Sequence, residues 1–144
     1  MCLDLSQLAA YASFDNARFR LMKAAAPGPY TFILRGTREV PRRLLHPRRR
    51  TIGARIPAHA IARALLAELG EPMLSATLQL PGGASPLADA PAIRAALEHA
   101  LDLVVDGGAC GTQPSTVVDL TGDAAIVVRA GKGALDVFGT AAAL

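Results

Sequence analysis

Cysteine is nearly absent from the chain. Cys2 and Cys110 are the only two, far apart and without metal-ligand spacing around either. That excludes a disulfide framework and a cysteine zinc site, and both are read as free thiols. Long apolar runs are absent too: none approaches the roughly 20 residues of a membrane helix, so no membrane partner is expected. Met1-Cys2-Leu3-Asp4-Leu5 lacks the basic start, apolar run and cleavage site of a secretory leader, which makes the cytoplasm the expected location. His46, His59 and His99 stand in unrelated contexts, and no acidic cluster accompanies them. Neither a Ser/His/Asp arrangement nor a tight metal site can be assembled, so covalent catalysis is disfavoured. No fixed-period repeat is visible.

What is present fits one globular domain: 144 residues, 51% hydrophobic and 19% charged. Charge is unevenly placed. Residues 1–55 carry 11 Lys or Arg against 3 Asp or Glu, and the rest carry 4 against 9. Eight arginines lie between Arg35 and Arg55, among them Arg42, Arg43, Arg48, Arg49 and Arg50. Such a cluster suits phosphates on a polyanion, and it equally suits a solvated basic loop.

Periodicity predicts a helix over residues 4–12 with Leu5, Leu8 and Ala12 on one stripe. A second helix follows the N-cap Asp15, with Phe19, Met22 and Ala26 inward, and Pro27-Gly28-Pro29 ends it. Tyr30–Leu34 reads as a strand, Val40–Leu45 as a helical turn and Thr51–Pro57 as a strand. Ala58–Leu69 reads as a helix whose Ile61, Leu65, Leu66 and Leu69 cover a sheet, with Gly70 as its stop. Pro72–Leu80 is predicted as a strand, completing a βαβ-like unit. A helix over residues 90–100, a strand Leu101–Asp106 and two strands at 115–120 and 124–129 follow. The Gly- and Ala-rich segment from residue 132 to 144 is expected to be loosely held. The fold class is α/β (α+β) with a mixed, twisted sheet.

In a strand, residues four apart share a face, so Thr51 and Arg55 would look into one space while Ile52, Ala54 and Ile56 pack behind. That face is a ligand candidate; the alternative is an Arg55 lying along apolar surface with its head in water. Gly107–Thr116 joins two predicted strands with three glycines and three hydroxyl residues. It is a candidate phosphate loop, or simply a turn. Ser75 and Thr77, two apart, share a strand face, and Arg129 ends an apolar strand as a fork-shaped cation suited to phosphate or carboxylate. Arg, Thr and Ser around glycines suit positioning of a nucleotide rather than nucleophilic attack.

Four ordered stretches carry a resemblance: residues 27–34 (PGPYTFIL), 51–57 (TIGARIP), 70–75 (GEPMLS) and 114–120 (PSTVVDL). They resemble the YrdC-like, threonylcarbamoyl-AMP synthase family over residues 1–131. Glu39–Leu45 looks most like its YciO branch. The resemblance implies a twisted mixed sheet flanked by helices around a basic cavity, and synthesis of threonylcarbamoyl-adenylate from L-threonine, bicarbonate and ATP for tRNA modification. It also implies double-stranded RNA or tRNA as a partner, with Arg42, Arg43, Arg48, Arg49 and Arg50 as candidate contacts. By motif position Thr51, Thr77 and Arg129 would bind ATP, and Arg55, Ser75 and Ser115 would bind threonine. Mg2+ would accompany the triphosphate. Thr77-Leu78-Gln79 stands where the family has Ser-Ala-Asn. The family's N-terminal part, with its Pro-Thr-Asp-Thr strand and Lys-x-Arg loop, has no counterpart, so the expectation is an N-terminally truncated domain with an incomplete site and weak or no activity.

Overall fold

In a computed structural model, which describes residues 1–139, alternation in one strand sets the centre of the fold. Helix α1 (Leu5–Tyr11), strand β1 (Ala12–Ser13) and helix α2 (Asn16–Ala25) precede that central strand, β2 (Tyr30–Gly36). Tyr30, Phe32 and Leu34 are buried, whereas Thr31 and Ile33 are half-buried and Arg35 is exposed. This two-residue period gives β2 one core face and one open face.

Strand β3 (Thr51–Ala54) pairs antiparallel with β2, Phe32 opposite Ala54 and Arg35 opposite Thr51. On its other edge β2 pairs antiparallel with β1 and parallel with β4 (Thr116–Asp119), and β4 pairs antiparallel with β5 (Ile126–Arg129). The result is a mixed sheet of five strands. A parallel pair needs a long connection, and the chain between β2 and β4 includes helices α3 (Ala60–Leu69) and α4 (Ala90–Leu97).

Leu8 from α1, Met22 from α2, Val118 from β4 and Ala54 and Ile56 from the third strand's end pack on the core face of β2. Phe138 closes this cluster, its ring 5.4 Å from Tyr30 edge-on and 6.3 Å from Phe32. Residues 132–138 therefore differ from the loose tail the sequence suggests: the Tyr30 hydroxyl donates to Ala134 O at 3.1 Å and Thr116 Oγ1 donates to Gly133 O at 2.7 Å. A Cβ on Gly133 would fall 2.2 Å from the Tyr30 ring, so glycine alone permits this approach. The rest of that segment, residues 140–144, lies outside the described residues.

The chain divides into two compact units, Met1–Leu74 with the chain from Pro114 onward, and Ser75–Gln113. The strands predicted at 72–80 and 101–106 do not form, so β3 and α3 are not followed by the third member of a βαβ unit. Met73 exchanges backbone bonds with Met1 (Met73 N to Met1 O, 3.0 Å), but one such exchange does not extend into a ladder, and Leu74 stays 80% exposed. Helix α3 ends at Gly70 with φ +68, as its sequence requires, yet only Leu66 is buried and Leu69 is 53% exposed. Its apolar face covers no sheet among the described residues. In the second unit, α4 is capped by Asp89, which accepts from Ala92 N at 3.0 Å.

Asp15 caps α2, accepting from Arg18 N at 2.9 Å, while the Arg18 guanidinium bonds the Asp15 carboxylate, Leu120 O and Gly122 O. Donation from the Arg18 backbone N–H holds the Asp15 carboxyl below its ordinary value. A carboxyl with a depressed folded pKa stabilises the fold above its unfolded pKa, about 3.9, and loses that contribution as pH falls through the folded value. Asp15→Asn keeps a capping oxygen and removes the charge. Its urea midpoint should lie below wild type at pH 7 and converge on it near pH 2.5; a gap that stays constant with pH would contradict this linkage.

Candidate functional site

The open face of β2 presents Thr31, Ile33 and Arg35, and the strands on either side extend it. Thr31 Oγ1 lies 2.8 Å from Ser115 Oγ, just before β4. Arg129, opposite Val117 at the end of β5, donates from Nη2 to Ser115 O at 2.9 Å and from Nε at 3.3 Å, with a longer 3.5 Å approach of Nη2 to Ser115 Oγ. Gly131 allows the chain leaving β5 to lie against this point: its Cβ would meet Pro114 O at 2.4 Å. Its N–H donates to Thr116 Oγ1 at 3.1 Å.

On the other side of β2, Gly53 lies opposite Ile33, and a Cβ there would stand 3.4 Å from the Thr31 methyl. The pairing of Phe32 with Ala54, continued by one residue, sets Arg55 beside Thr31. Arg55 is half-buried, and its Nε is buried without a hydrogen-bond partner among the described residues. A buried guanidinium N–H left unpaired is costly, and a carboxylate or phosphate oxygen would satisfy it. One row across the sheet thus holds Arg55, Thr31, Ser115 and Arg129.

Thr51 is buried at the opposite end of β3, opposite Arg35. Four residues of strand separate it from the level of Arg55, roughly 13 Å at the usual rise. Ser75 and Thr77 lie in the second unit, both exposed on irregular backbone, so the shared strand face expected of them is not formed. The glycine-rich run after residue 106 is exposed up to Pro114; Gly108 has φ +78 and donates its N–H to the Asp106 carboxylate at 2.9 Å.

Arg42, Arg43, Arg48, Arg49 and Arg50 lie in the loop from β2 to β3. A single 3-10 turn, Arg42–Leu44, occupies the place of the expected helical turn. Val40 and Leu45 anchor the loop by burial. His46 Nδ1 accepts from Arg48 N at 3.3 Å and Arg49 N at 3.2 Å, and Arg50 N donates to His46 O at 2.9 Å. The backbone is braced while the guanidinium groups stay exposed, none of them within salt-bridge distance of a carboxylate among the described residues. Among the described residues no three His, Cys, Asp or Glu side chains cluster as a metal site, and no helix is long and apolar enough to cross a membrane.

The residue not singled out from sequence is Thr31. Its signal was present: a lone hydroxyl at an odd position of a strand whose even positions are Tyr30, Phe32 and Leu34.

Comparison with known proteins decides the family. The Sua5/YciO/YrdC family model, described as telomere recombination, matches residues 1–131. The chain belongs to this family. It is 55% identical to YciO of Escherichia coli over 133 residues, 92% of this chain and 65% of that protein. It therefore spans slightly less than two thirds of the length of this relative. The crystal structure of E. coli YciO superposes with a TM-score of 0.91 at 54% identity, covering 96% of this chain and 67% of the other. A threonylcarbamoyl-AMP synthase of Chromobacterium violaceum is 36% identical over 94 residues, 65% of this chain and 48% of that protein. The structure of P. abyssi Sua5 complexed with L-threonine matches with a TM-score of 0.80 at 26% identity, covering 90% of this chain and 38% of the other. The mixed α/β fold is thus that of YciO and Sua5.

The two thiols offer a check on the core. Burial, ahead of a neighbouring carboxylate at Asp4 and against the nearby N-terminal amine, pushes the Cys2 thiol up from its ordinary value, whereas Cys110 is exposed. Titration of the native protein with a thiol-reactive dye at pH 7.5 should show one fast and one slow cysteine, and Cys110→Ser should abolish the fast phase. Two equally fast thiols would contradict the packing of Cys2.

Proposed function

We propose that the open sheet face is part of a threonylcarbamoyl-AMP synthase-type site, taking L-threonine, bicarbonate and ATP. The observation that carries this reading is the row of Arg55, Thr31, Ser115 and Arg129, with the Arg55 Nε buried and unpartnered. The threonine-bound Sua5 structure and the Chromobacterium synthase, both similar to this chain, support it. Arg55 would hold the threonine carboxylate, a fork-shaped cation meeting a planar anion. Ser115 would lie against the amino acid. Arg129 and Thr51 would contact ATP. The threonine amine condenses with bicarbonate, losing water, and a carbamate oxygen attacks the α-phosphorus as pyrophosphate leaves. No side chain forms a covalent bond; the chain's contribution is to bind and align. Mg2+ would belong to the nucleotide substrate and shield its phosphate charge.

Isothermal calorimetry tests this directly. Wild type should bind L-threonine, and more tightly with ATP present. Arg55→Lys should weaken L-threonine at least about tenfold, the scale of one charge-assisted hydrogen bond, with an unchanged melting temperature. No binding of either ligand by a folded preparation would overturn the reading.

The braced basic loop favours a second reading, recognition of double-stranded RNA or tRNA. Exposed, carboxylate-free guanidinium groups are available to phosphates, and such binding weakens linearly in log-log form with salt. Neutralising Arg48, Arg49 and Arg50 to Gln should reduce both the affinity for a double-stranded RNA and the salt slope, by about two to three units. Binding unaffected by salt or by the triple substitution would remove it.

A further inference from the structure

We infer that Thr31 is a specificity-determining residue, which forms with Ser115 a hydroxyl pair that reads a ligand alcohol. This inference rests on the amino-acid site proposed above and deepens it.

The argument starts from donor counting. Arg129 has only N–H donors, so where its Nη2 approaches Ser115 Oγ at 3.5 Å the serine oxygen must accept. The 2.8 Å contact between Ser115 Oγ and Thr31 Oγ1 needs one donor. With Arg129 filling one serine lone pair, the serine keeps a second lone pair as well as its proton, so either hydroxyl can donate across the pair. In either order one of the two O–H protons is left over as a donor. Thr31 makes no other side-chain hydrogen bond among the described residues. In either order the pair also keeps unused lone pairs. The pair therefore offers one donor and one acceptor side by side, the complement of an alcohol, which both donates and accepts.

The rotamer of Thr31 is held from the other side. Its methyl faces Gly53, 3.4 Å from an ideal Cβ position there, an ordinary van der Waals distance. With the methyl toward β3 and the hydroxyl toward Ser115, the β-branched side chain has both arms committed. Arg55, beside Thr31 by register, would fix the carboxylate of the same ligand. The class this selects is an α-amino acid carrying a side-chain hydroxyl, over an isosteric one without it. A site built to bond a hydroxyl discriminates strongly against the analogue lacking it, because its own polar groups are then left unpaired.

The experiment is calorimetry of the chain with L-threonine and with L-valine, for wild type, Thr31→Val, Thr31→Ser and Thr31→Ala, each checked for an unchanged circular dichroism spectrum. Wild type should prefer L-threonine by about 100-fold or more. Thr31→Val, isosteric and favourable in a strand, should weaken L-threonine about tenfold and narrow the preference over L-valine. Thr31→Ser should restore most of the preference. If Thr31→Val does not fold, Thr31→Ala takes its place, since it too removes the hydroxyl and should narrow the same ratio. Wild type that binds L-threonine with a ratio unmoved in the folded variant would overturn the role of Thr31 alone. Wild type that binds neither amino acid would overturn the underlying site and this inference with it.

Discussion

The constraint on which the structure depends is the pairing of β2 on both edges. Because it is bonded to β3 on one side and to β1 and β4 on the other, its register fixes the side to which every side chain of the sheet points. A slip of one residue would carry Phe32 and Leu34 out of the core and Thr31 into it. Full burial of each such apolar side chain is worth about 1.5–3 kcal/mol, so the slip is forbidden by several of these terms at once. The position of the Thr31 hydroxyl is thus set less by its own hydrogen bond, worth about 1 kcal/mol, than by the aromatic and aliphatic neighbours that hold the strand. Core and site are two faces of one alternation.

Glycine and arginine divide the remaining work around that strand. Gly131 and Gly133 each permit a close approach, of the Pro114 carbonyl and of the Tyr30 ring respectively. These approaches bring the Ser115 end of β4, the exit of β5 and the segment carrying Phe138 against β2. Arg18 ties α2 to the carbonyls of Leu120 and Gly122 beyond β4. Arg129 does the corresponding job at the other end of that strand, through Ser115 O. The two arginines therefore differ in consequence: Arg18 spends its donors on carbonyls and a capping carboxylate, whereas Arg129 also reaches a hydroxyl and so influences which way that hydroxyl points.

Elements with strong local signals were legible in the sequence. The caps at Asp15 and Gly70, the strands around Phe32, Ile52 and Val118 and the turn before β5 all formed within a few residues of their expected bounds. What failed depended on partners. Residues 72–80 and 101–106 have β-rich composition, but a strand exists only where another lies beside it, and composition says nothing of that. Likewise the stripe of Ile61, Leu65 and Leu69 is a sound helical period on a helix that buries only Leu66. In α2 the buried positions are Met22 and Ala25 rather than Phe19, a small rotation that periodicity does not resolve. For the site, Arg55 and Arg129 stood out by their strand positions, while their ligand roles and that of Ser115 came from motif resemblance. Their nearness to one another came only from register, which joins β4 to β2 across nearly eighty intervening residues. Thr31 was overlooked because a threonine in a strand is ordinary until its partner is known.

The chemistry available to this face follows from what its groups have already spent. Ser115 cannot act as a free nucleophile while it accepts from a guanidinium and shares a proton with Thr31, and no base stands behind it in the row. The same commitments suit it to recognition, since a hydroxyl already held by two partners costs less entropy to engage than one that rotates freely. Arg55 is the converse case, a cation whose buried Nε is still owed an acceptor. An unpaired donor beside a hydroxyl pair favours a ligand that brings an anion and an alcohol a few atoms apart. A β-hydroxy amino acid is the smallest natural molecule that satisfies both at once, which is why the geometry of this row leads to binding and alignment rather than to attack by the protein.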